Sequence, residues 1–206
     1  MAPASSTTEA AITALAQAQE HRLPSGLTLR LRPMTGELYL KYQAKSVGFA
    51  LKGGGNFSAA NQWLATQIFE VADGGDTTPL DLSTLTMGLD FDDVAVLSAI
   101  MNDLLAPQEP DEGHLPSGLP IERLKPKGQD FWRYQDAIGA AVNSKTGQVT
   151  NGEALVAANL ALATKMFVVD GQPVTEAWLR GASFQDAAYL LGEVGKRIAA
   201  TRPPST

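Results

Sequence analysis

The chain of 206 residues contains no cysteine, and it contains only two histidines, His21 and His114. The absence of cysteine excludes a disulfide framework and thiolate chemistry, and it fits a reducing compartment. Nowhere do about eighteen apolar residues run together, so we expect no membrane-spanning helix. The N-terminal stretch lacks the basic region of a secretion signal. The chain is therefore expected to be a soluble cytoplasmic protein without a membrane partner.

Basic residues are in the minority. The sequence has 16 Lys and Arg against 22 Asp and Glu, which gives a formal net charge of -6. Nucleic acids and anionic membranes both attract clustered Lys and Arg, so this balance argues against either as a partner.

Motifs that carry chemistry are also missing. No Gly-x-Ser-x-Gly elbow occurs, and the glycine-rich stretch "LKGGGNF" lacks the Gly-Lys-Ser/Thr that closes a phosphate-binding loop. The acids of "DFDD" lie where a helix N-terminus attracts carboxylates, and the two histidines are interpreted as turn residues. We expect no enzyme activity, no cofactor and no metal site.

What the sequence does contain is a repeat. "LPSGL" occurs at Leu23 and again at Leu115, and "GELYLKYQA" is followed later by "GQDFWRYQDA". "LATQIFEVADG" then matches "LATKMFVVDG", and "LDFDDVAVLSAIM" matches "ASFQDAAYLLGEV". Four blocks in the same order indicate a tandem duplication of a unit of roughly ninety residues.

Each unit begins with a strand signal. In "LPSGLTLRLRP", Leu27, Leu29 and Leu31 alternate with polar residues, which is the period of a half-buried strand after a turn. The second copy carries Pro120, which cannot donate to a ladder, so its strand is expected at a sheet edge or as a short turn.

Helical patterns follow in both units. The first helix of copy two carries Phe131, Tyr134, Ile138 and Val142 on one stripe. The second helix is marked by Phe57, Leu64 and Ile68 in copy one, and by Leu155, Leu162 and Met166 in copy two. A third helix has the stripe Val94, Leu97 and Met101, or Ala187, Leu190 and Val194. The sequence thus predicts an α+β, mostly helical fold of two similar units, each a short strand or hairpin followed by about three helices.

Helix caps support this alignment. The third helix begins at Asp90 or Ser183, and each is followed three residues later by an aspartate, Asp93 or Asp186. "TNGE" suggests a capping box between Thr150 and Glu153 for the second helix of copy two.

Boundaries follow from composition. The predicted organisation is a flexible N-terminal tail (1–22), repeat unit 1 (23–105), a proline-rich acidic linker (106–114), repeat unit 2 (115–200) and a disordered C-terminus (201–206). The segment "VADGGDTTPLDLSTLTMG" is interpreted as a longer connection than its counterpart in copy two.

Large aromatic side chains are the candidate contacts for a partner. The three tryptophans are interpreted as core residues, although an exposed one would be an anchor for a partner. The candidate partner-binding residues are Tyr39, Tyr42, Trp63, Phe131, Trp132 and Trp178.

The opening "LPSGLTLRLRPMTGEL" resembles the start of phage tail assembly chaperones and related small tail assembly proteins. The ending "FVVDGQPVTEAWLRGASFQDAAYLLGEV" is similar to that group's ending, with a "DG-x-P" turn, a short helix and a last amphipathic helix. The chain departs from the group by carrying two copies, and the second lacks the "RP-x-TG" step.

The resemblance implies a non-enzymatic chaperone that acts in virion assembly by protein–protein interaction. Such chaperones coat the long helical tape-measure protein until tail-tube subunits polymerise around it. The alternative is a structural tail or baseplate subunit that stays in the bacteriophage particle, which would place the chain in the virion tail. A homo-oligomer is compatible with either.

Overall fold

The structure of the chain, a computed structural model, describes residues 19–51, 57–73, 76–143, 145–146 and 148–200. Within these residues, seven α-helices, one π-helix and seven strands confirm the predicted α+β, mostly helical class. The described residues divide into two compact units. One comprises the residues up to 33 with 61–106, and the other comprises 34–60 with the residues from 107 onward.

The first unit contains a four-stranded antiparallel sheet with the strand order β1-β2-β3-β4. Its strands are β1 (Glu20–Arg22), β2 (Thr28–Leu31), β3 (Phe69–Asp73) and β4 (Asp76–Pro79). Leu29 on β2 is fully buried and lies opposite His21 on β1 and Val71 on β3. The alternating pattern therefore correctly predicts a strand with one buried face.

Residues 20–22 correct the predicted N-terminal tail. They form β1 because His21 pairs with Leu29, while Glu20 makes an ion pair of 2.8 Å with Arg30 on β2. The rest of the predicted tail (1–18), the C-terminus (201–206) and the glycine-rich residues 52–56 lie outside the described residues.

The helices of the first unit bury Leu64, Ile68, Leu97 and Met101, as the periodicity predicts, while the predicted position of the Phe57 side chain lies outside what the structure describes. These helices are α2 (Phe57–Ile68, of which residues 61–68 belong to this unit), the π-helix (Thr84–Gly88) and α3 (Phe91–Leu105). On α3, Leu97 and Met101 are buried, but Val94 is 39% exposed. The buried stripe is narrower than predicted because it follows the four-residue spacing of Asp93, Leu97 and Met101.

The long connection after β3 contains regular structure that the sequence does not predict. It holds β4 and the π-helix, in which the N–H of Leu89 donates to the carbonyl of Thr84 over 3.0 Å. The hydrogen bond of such a turn joins residues five positions apart, so the turn contains one more residue than an α-helical turn.

The second unit combines a three-stranded antiparallel sheet, of order β5-β6-β7, with five helices among the described residues. In chain order these are α1 (Gly36–Leu51), β5 (Ile121–Arg123), α4 (Gly128–Gly139), α5 (Gly152–Met166), β6 (Phe167–Val169), β7 (Gln172–Pro173), α6 (Glu176–Gly181) and α7 (Phe184–Ala200). β5 lies at the sheet edge, as Pro120 predicts.

Helix α1 packs against α5, α6 and α7 of the second unit. Its first residue, Gly36, donates to the carbonyl of Ala182 over 2.7 Å, and a Cβ at Gly36 would overlap the backbone carbonyl of Leu179. The compact units therefore do not coincide with the segments 23–105 and 115–200 that the repeat delimits. The duplication that these two segments suggest stays a prediction about the origin of the chain.

Both Leu-Pro-Ser-Gly turns are built in the same way. Leu23 is buried, its N–H donates to Leu27, and Gly26 closes the turn with φ at +91°, a conformation that glycine adopts without strain. The Ser25 N–H donates to the buried carboxylate of Asp93 over 2.9 Å. In the second unit the corresponding residues make the same contacts: Leu115, Leu119, Gly118, Ser117 and Asp186.

The helix caps agree with the sequence in two places and differ in one. Asp90 accepts from the N–H of Asp93, and the Ser183 hydroxyl accepts from the N–H of Asp186, so both predicted third-helix starts are confirmed. The predicted capping box at Thr150 is wrong by one residue. Asn151 caps α5 instead, since its side-chain oxygen reaches the N–H of Ala154 at 3.1 Å.

The first helix of copy two is shorter than its predicted stripe. α4 ends at Gly139, and Val142 forms an isolated bridge with Val149 beyond the helix. Tyr134 is buried while Phe131 is 37% exposed, so the aromatic side chains of α4 do not all face the same core.

Candidate functional site

The second unit contains an open groove of about 1080 Å³. Helices α1 and α4 both pack on α5, which makes α5 the floor and the other two helices the walls. Two side chains of α6, Glu176 and Arg180, lie at one end. The volume of the groove lies at the upper end of the range of about 300–1,000 Å³ that is typical of small-molecule pockets.

The floor and walls of the groove carry very small side chains. Ala157 and Ala161 are exposed along α5, while Ala44 on α1 and Ala137 on α4 are half-buried beside them. A Cβ at Gly152 would overlap the backbone carbonyl of Ala44, so α1 and α5 approach at backbone distance there. Small side chains let another backbone come close, which is how helices pack at about 8–10 Å between axes.

Larger apolar residues support the groove from below. Leu40, Leu160 and Leu162 are all buried. Tyr134 is buried as well, and its hydroxyl donates to the amide oxygen of Asn159 over 3.1 Å, which fixes the orientation of the α4 ring. The walls are therefore parts of the core of the second unit.

The rim of the groove is basic, in contrast to the net charge of the chain. The charged lining residues are Lys41, Lys45, Arg133, Lys165 and Arg180, against Asp130, Glu153 and Glu176. Within the described part of the chain, Arg133 and Lys165 make no ion pair. Their charges therefore remain available to an acidic partner.

Arg180 is held in place by two carboxylates. It forms ion pairs with Glu176 on its own helix and with Glu37 on α1. The hydrogen bond from Arg180 lowers the pKa of Glu37, and Lys41 contributes at 3.3 Å. This network joins α1 to α6 at the end of the groove.

Two of the predicted partner-binding residues lie in the core. Tyr39 and Tyr42 on α1 are buried and surround Phe184, with ring centroids 5.0 Å and 6.5 Å from it. Burial raises the pKa of Tyr39 to about 12. Their structural role is to attach α1 to α7.

The remaining predicted aromatic residues are at least partly accessible. Trp63 and Trp178 are half-buried, whereas Trp132 is 68% exposed and contacts Phe131 edge-on at 5.7 Å. The interpretation of the tryptophans as core residues is therefore wrong for Trp132, because none of the described residues of its unit covers most of this side chain.

The groove itself has no distinctive signal in the sequence. Its floor comes from "EALVAANLALATK" in α5, where alanines recur at helical spacing between the buried leucines. Such a pattern is ordinary in a helix, and only the approach of α1 and α4 on both sides makes it a groove.

The two histidines belong to different compact units, and each has its own neighbours. The His21 ring lies edge-on to Phe69 at 6.4 Å, and His114 lies 3.2 Å from the carbonyl of Glu112. Across the described residues, no group of three or more His, Cys, Asp or Glu side chains is placed to hold a metal ion.

Comparison with known proteins identifies no relative: no family model, no curated protein and no solved structure matches the chain. In the part of the chain that the structure describes, none of the helices has the length and apolar character needed to cross a membrane.

Proposed function

We propose that the chain is a non-enzymatic phage or prophage tail assembly chaperone, and that its groove binds an amphipathic helical segment of a client such as the tape-measure protein. The observation that carries the proposal is the groove on α5, with its alanine floor and basic rim. Helix-in-groove recognition needs such a surface, wide enough for a helix and apolar at its base.

The lining indicates the chemistry of the client. Because Ala157 and Ala161 leave space above the floor, the facing helix should bring the larger side chains, Leu, Ile, Met or Phe, at spacings of three and four residues. Arg133 and Lys165 on the rim favour Asp or Glu on the flanks of that helix.

We further infer that the two repeat segments descend from one ancestral module. The order strand, helix, helix, two strands, short helix, helix occurs in both segments. The two turn–aspartate contacts and the two helix caps at Asp90 and Ser183 support the same inference, since they recur at corresponding positions.

Where a long helical reading frame of the tape-measure type lies next to that of the chain, the groove is tested by co-expressing its product with the full chain and purifying the complex through a tag on the chain. The double substitution Ala157→Arg and Ala161→Arg fills the floor with long charged side chains and should abolish co-purification. Arginine favours helices nearly as well as alanine, so α5 should stay folded.

The matched control is Ala199→Arg, at an exposed alanine of α7 that does not line the groove. It should leave co-purification unchanged. If the client fails to bind the wild-type chain, or binds the filled groove equally well, the proposed function is wrong.

A structural tail or baseplate subunit is the second candidate, and the exposed aromatic residues Phe91 and Trp132 favour it, because subunits that remain assembled need apolar contacts. Mass spectrometry of purified particles separates the two candidates. A retained subunit is present in the particle at stoichiometric amount, whereas a chaperone is absent.

A further inference from the structure

Among the described residues, the exposed large apolar residues other than Val96 fall into two patches of opposite charge. The first, here called the acidic patch, runs from the residues before the π-helix to the start of α3 in the first unit and consists of Leu82, Met87, Phe91 and Val94 with Asp81, Asp90 and Asp92. The second, the basic patch, lies at β5 and α4 in the second unit and consists of Leu124, Phe131 and Trp132 with Lys125, Lys127 and Arg133.

The charges of the two patches are complementary. The chain has no Lys or Arg between Lys52 and Arg123, so no basic residue of this stretch offsets the carboxylates of the acidic patch. In the basic patch, the three cations lie close in sequence to the aromatic pair and are exposed, and the nearest acids in sequence are the partly buried Asp130 and the exposed Glu122 and Asp136. The acidic patch would therefore repel a copy of itself and attract the exposed cations of the basic patch.

Phe91 is the most exposed apolar residue of the acidic patch, and no described residue packs over most of its ring. It is 85% exposed and directly follows the cap of α3. Phe184 directly follows the cap of α7, and it is only 3% exposed because the rings of Tyr39 and Tyr42 on α1 cover it. In the second unit, the aromatic side chains of α1 therefore cover the phenylalanine after the helix cap. Among the described residues of the first unit, no helix covers Phe91 in this way.

Helix α4 carries exposed aromatic residues of the kind that would cover Phe91. It begins with glycine and has aromatic residues at its fourth and seventh positions, as α1 does, and it carries Phe131 and Trp132 at the surface. Exposed Trp and Phe rings beside arginine are typical of the residues that dominate binding energy at interfaces.

We propose that the acidic patch of one molecule binds the basic patch of a second copy of the same chain. The contact is head-to-tail, because it joins two different surfaces, and each added copy leaves one patch of each kind free. Such contacts produce a closed ring or an open chain of subunits. Arg133 borders both the basic patch and the groove, but the association rests on Phe91 and Trp132, which do not line the groove, so it can fail while the proposed function holds, and the reverse.

The experiment measures the mass of the full chain by sedimentation velocity from about 1 to 500 µM at low salt and at high salt. A contact of three or four apolar side chains is expected to have a Kd on the order of tens of micromolar. The mass should rise with concentration beyond that of a dimer, and high salt should weaken the rise because the surface charges are screened.

Two substitutions separate the surfaces. Phe91→Ser removes the centre of the acidic patch, and Trp132→Ser removes the centre of the basic patch, and neither residue lines the groove. Each variant alone should associate roughly 30-fold more weakly, which is the loss expected of a central interface residue. Val96→Ser, at an exposed valine outside both patches on α3, should behave as wild type.

An equimolar mixture of Phe91→Ser and Trp132→Ser is the decisive sample. One intact surface of each kind remains in the mixture, so the two variants should form a heterodimer that grows no further. A wild-type monomer at the highest concentration overturns the proposal, and so does a mixture that stays monomeric. Self-association that survives both substitutions, or that stops at a symmetric dimer in the wild type, overturns it equally.

Discussion

The carboxylate of Asp186 accepts a hydrogen bond of 3.0 Å from the backbone N–H of Ser117, although 69 positions separate the two residues in the chain. The same contact joins Asp93 to Ser25 at 2.9 Å. Both aspartates are buried in the first turn of a helix, where the helix N-terminus favours a negative charge. The repeated Leu-Pro-Ser-Gly motif is thereby explained as a turn that a helix of the same unit anchors.

Replacing Asp93 by alanine should destabilise the first unit. The substitution leaves the N–H of Ser25 without its acceptor and removes a carboxylate from the start of α3. We expect the melting temperature of that unit to fall by about 5 °C, the usual result of losing one capping interaction in a small domain. Differential scanning calorimetry measures the change, and an unaltered transition would contradict it.

The stability of the first unit should also depend on pH through Asp93. The hydrogen bond from the Ser25 N–H lowers the pKa of Asp93, so its contribution is present above the unfolded pKa of about 3.9 and is lost as pH falls through the lower folded pKa. Melting temperatures below about pH 4 should fall more steeply for wild type than for Asp93→Asn, whose side chain does not titrate. Parallel curves for the two proteins would exclude this linkage.

Gly36→Ala should weaken the attachment of α1 to the second unit. The new methyl group would overlap the backbone carbonyl of Leu179, which cannot move without shifting α6. We expect a loss of about 1–3 kcal/mol in the free energy of unfolding, the usual cost of overpacking. Urea denaturation followed by circular dichroism measures this loss.

The control for that substitution is Gly192→Ala in α7. A Cβ at Gly192 meets nothing within 4 Å, so the change should follow helix propensity and stabilise the protein by roughly 0.5–1 kcal/mol. If both variants shift stability in the same direction, the close approach at Gly36 does not have the assigned effect.

The two phenylalanines that open α3 and α7 should respond differently to truncation. Phe184→Ala removes a buried ring from between α1 and α7 and should cost about 3–5 kcal/mol. Phe91→Ala changes an exposed side chain and should alter stability by less than about 0.5 kcal/mol in dilute solution. Denaturation at one low protein concentration compares the two, and equal losses would contradict the assigned burial.

Alkaline pH should destabilise the second unit through the ionisation of Tyr39. Burial raises the pKa of Tyr39 to about 12 from an unfolded value of 10.0, so its contribution to stability is fully present below pH 10 and is lost as pH rises through about 12. Burial also raises the pKa of Tyr42, so the absorbance of tyrosinate should show both residues titrating late. Tyr39→Phe should remove one residue from the late step and reduce alkaline destabilisation, while an unchanged late step in the variant would assign it to other tyrosines.

Much of the secondary structure follows from local sequence rules. The Leu-x-Leu alternation predicts β2, Pro120 predicts an edge strand, and Asp90 and Ser183 predict two helix starts. These rules succeed because alternation, a missing N–H and a capping oxygen act within a few residues. The π-helix is harder to predict, since its extra residue has no sequence signal of its own.

Local sequence patterns predict the α+β class, the repeated turn, the β2 strand and the starts of α3 and α7, because those features depend on neighbouring residues. Which helix covers which surface depends on packing between segments that are distant in the chain. Tyr39 and Tyr42 became core residues because α1 packs on Phe184, while Phe91 and Trp132 stayed exposed although their sequence patterns are similar. The groove on α5 exists for the same reason, since alanines become a binding floor only when two other helices stand on either side of them.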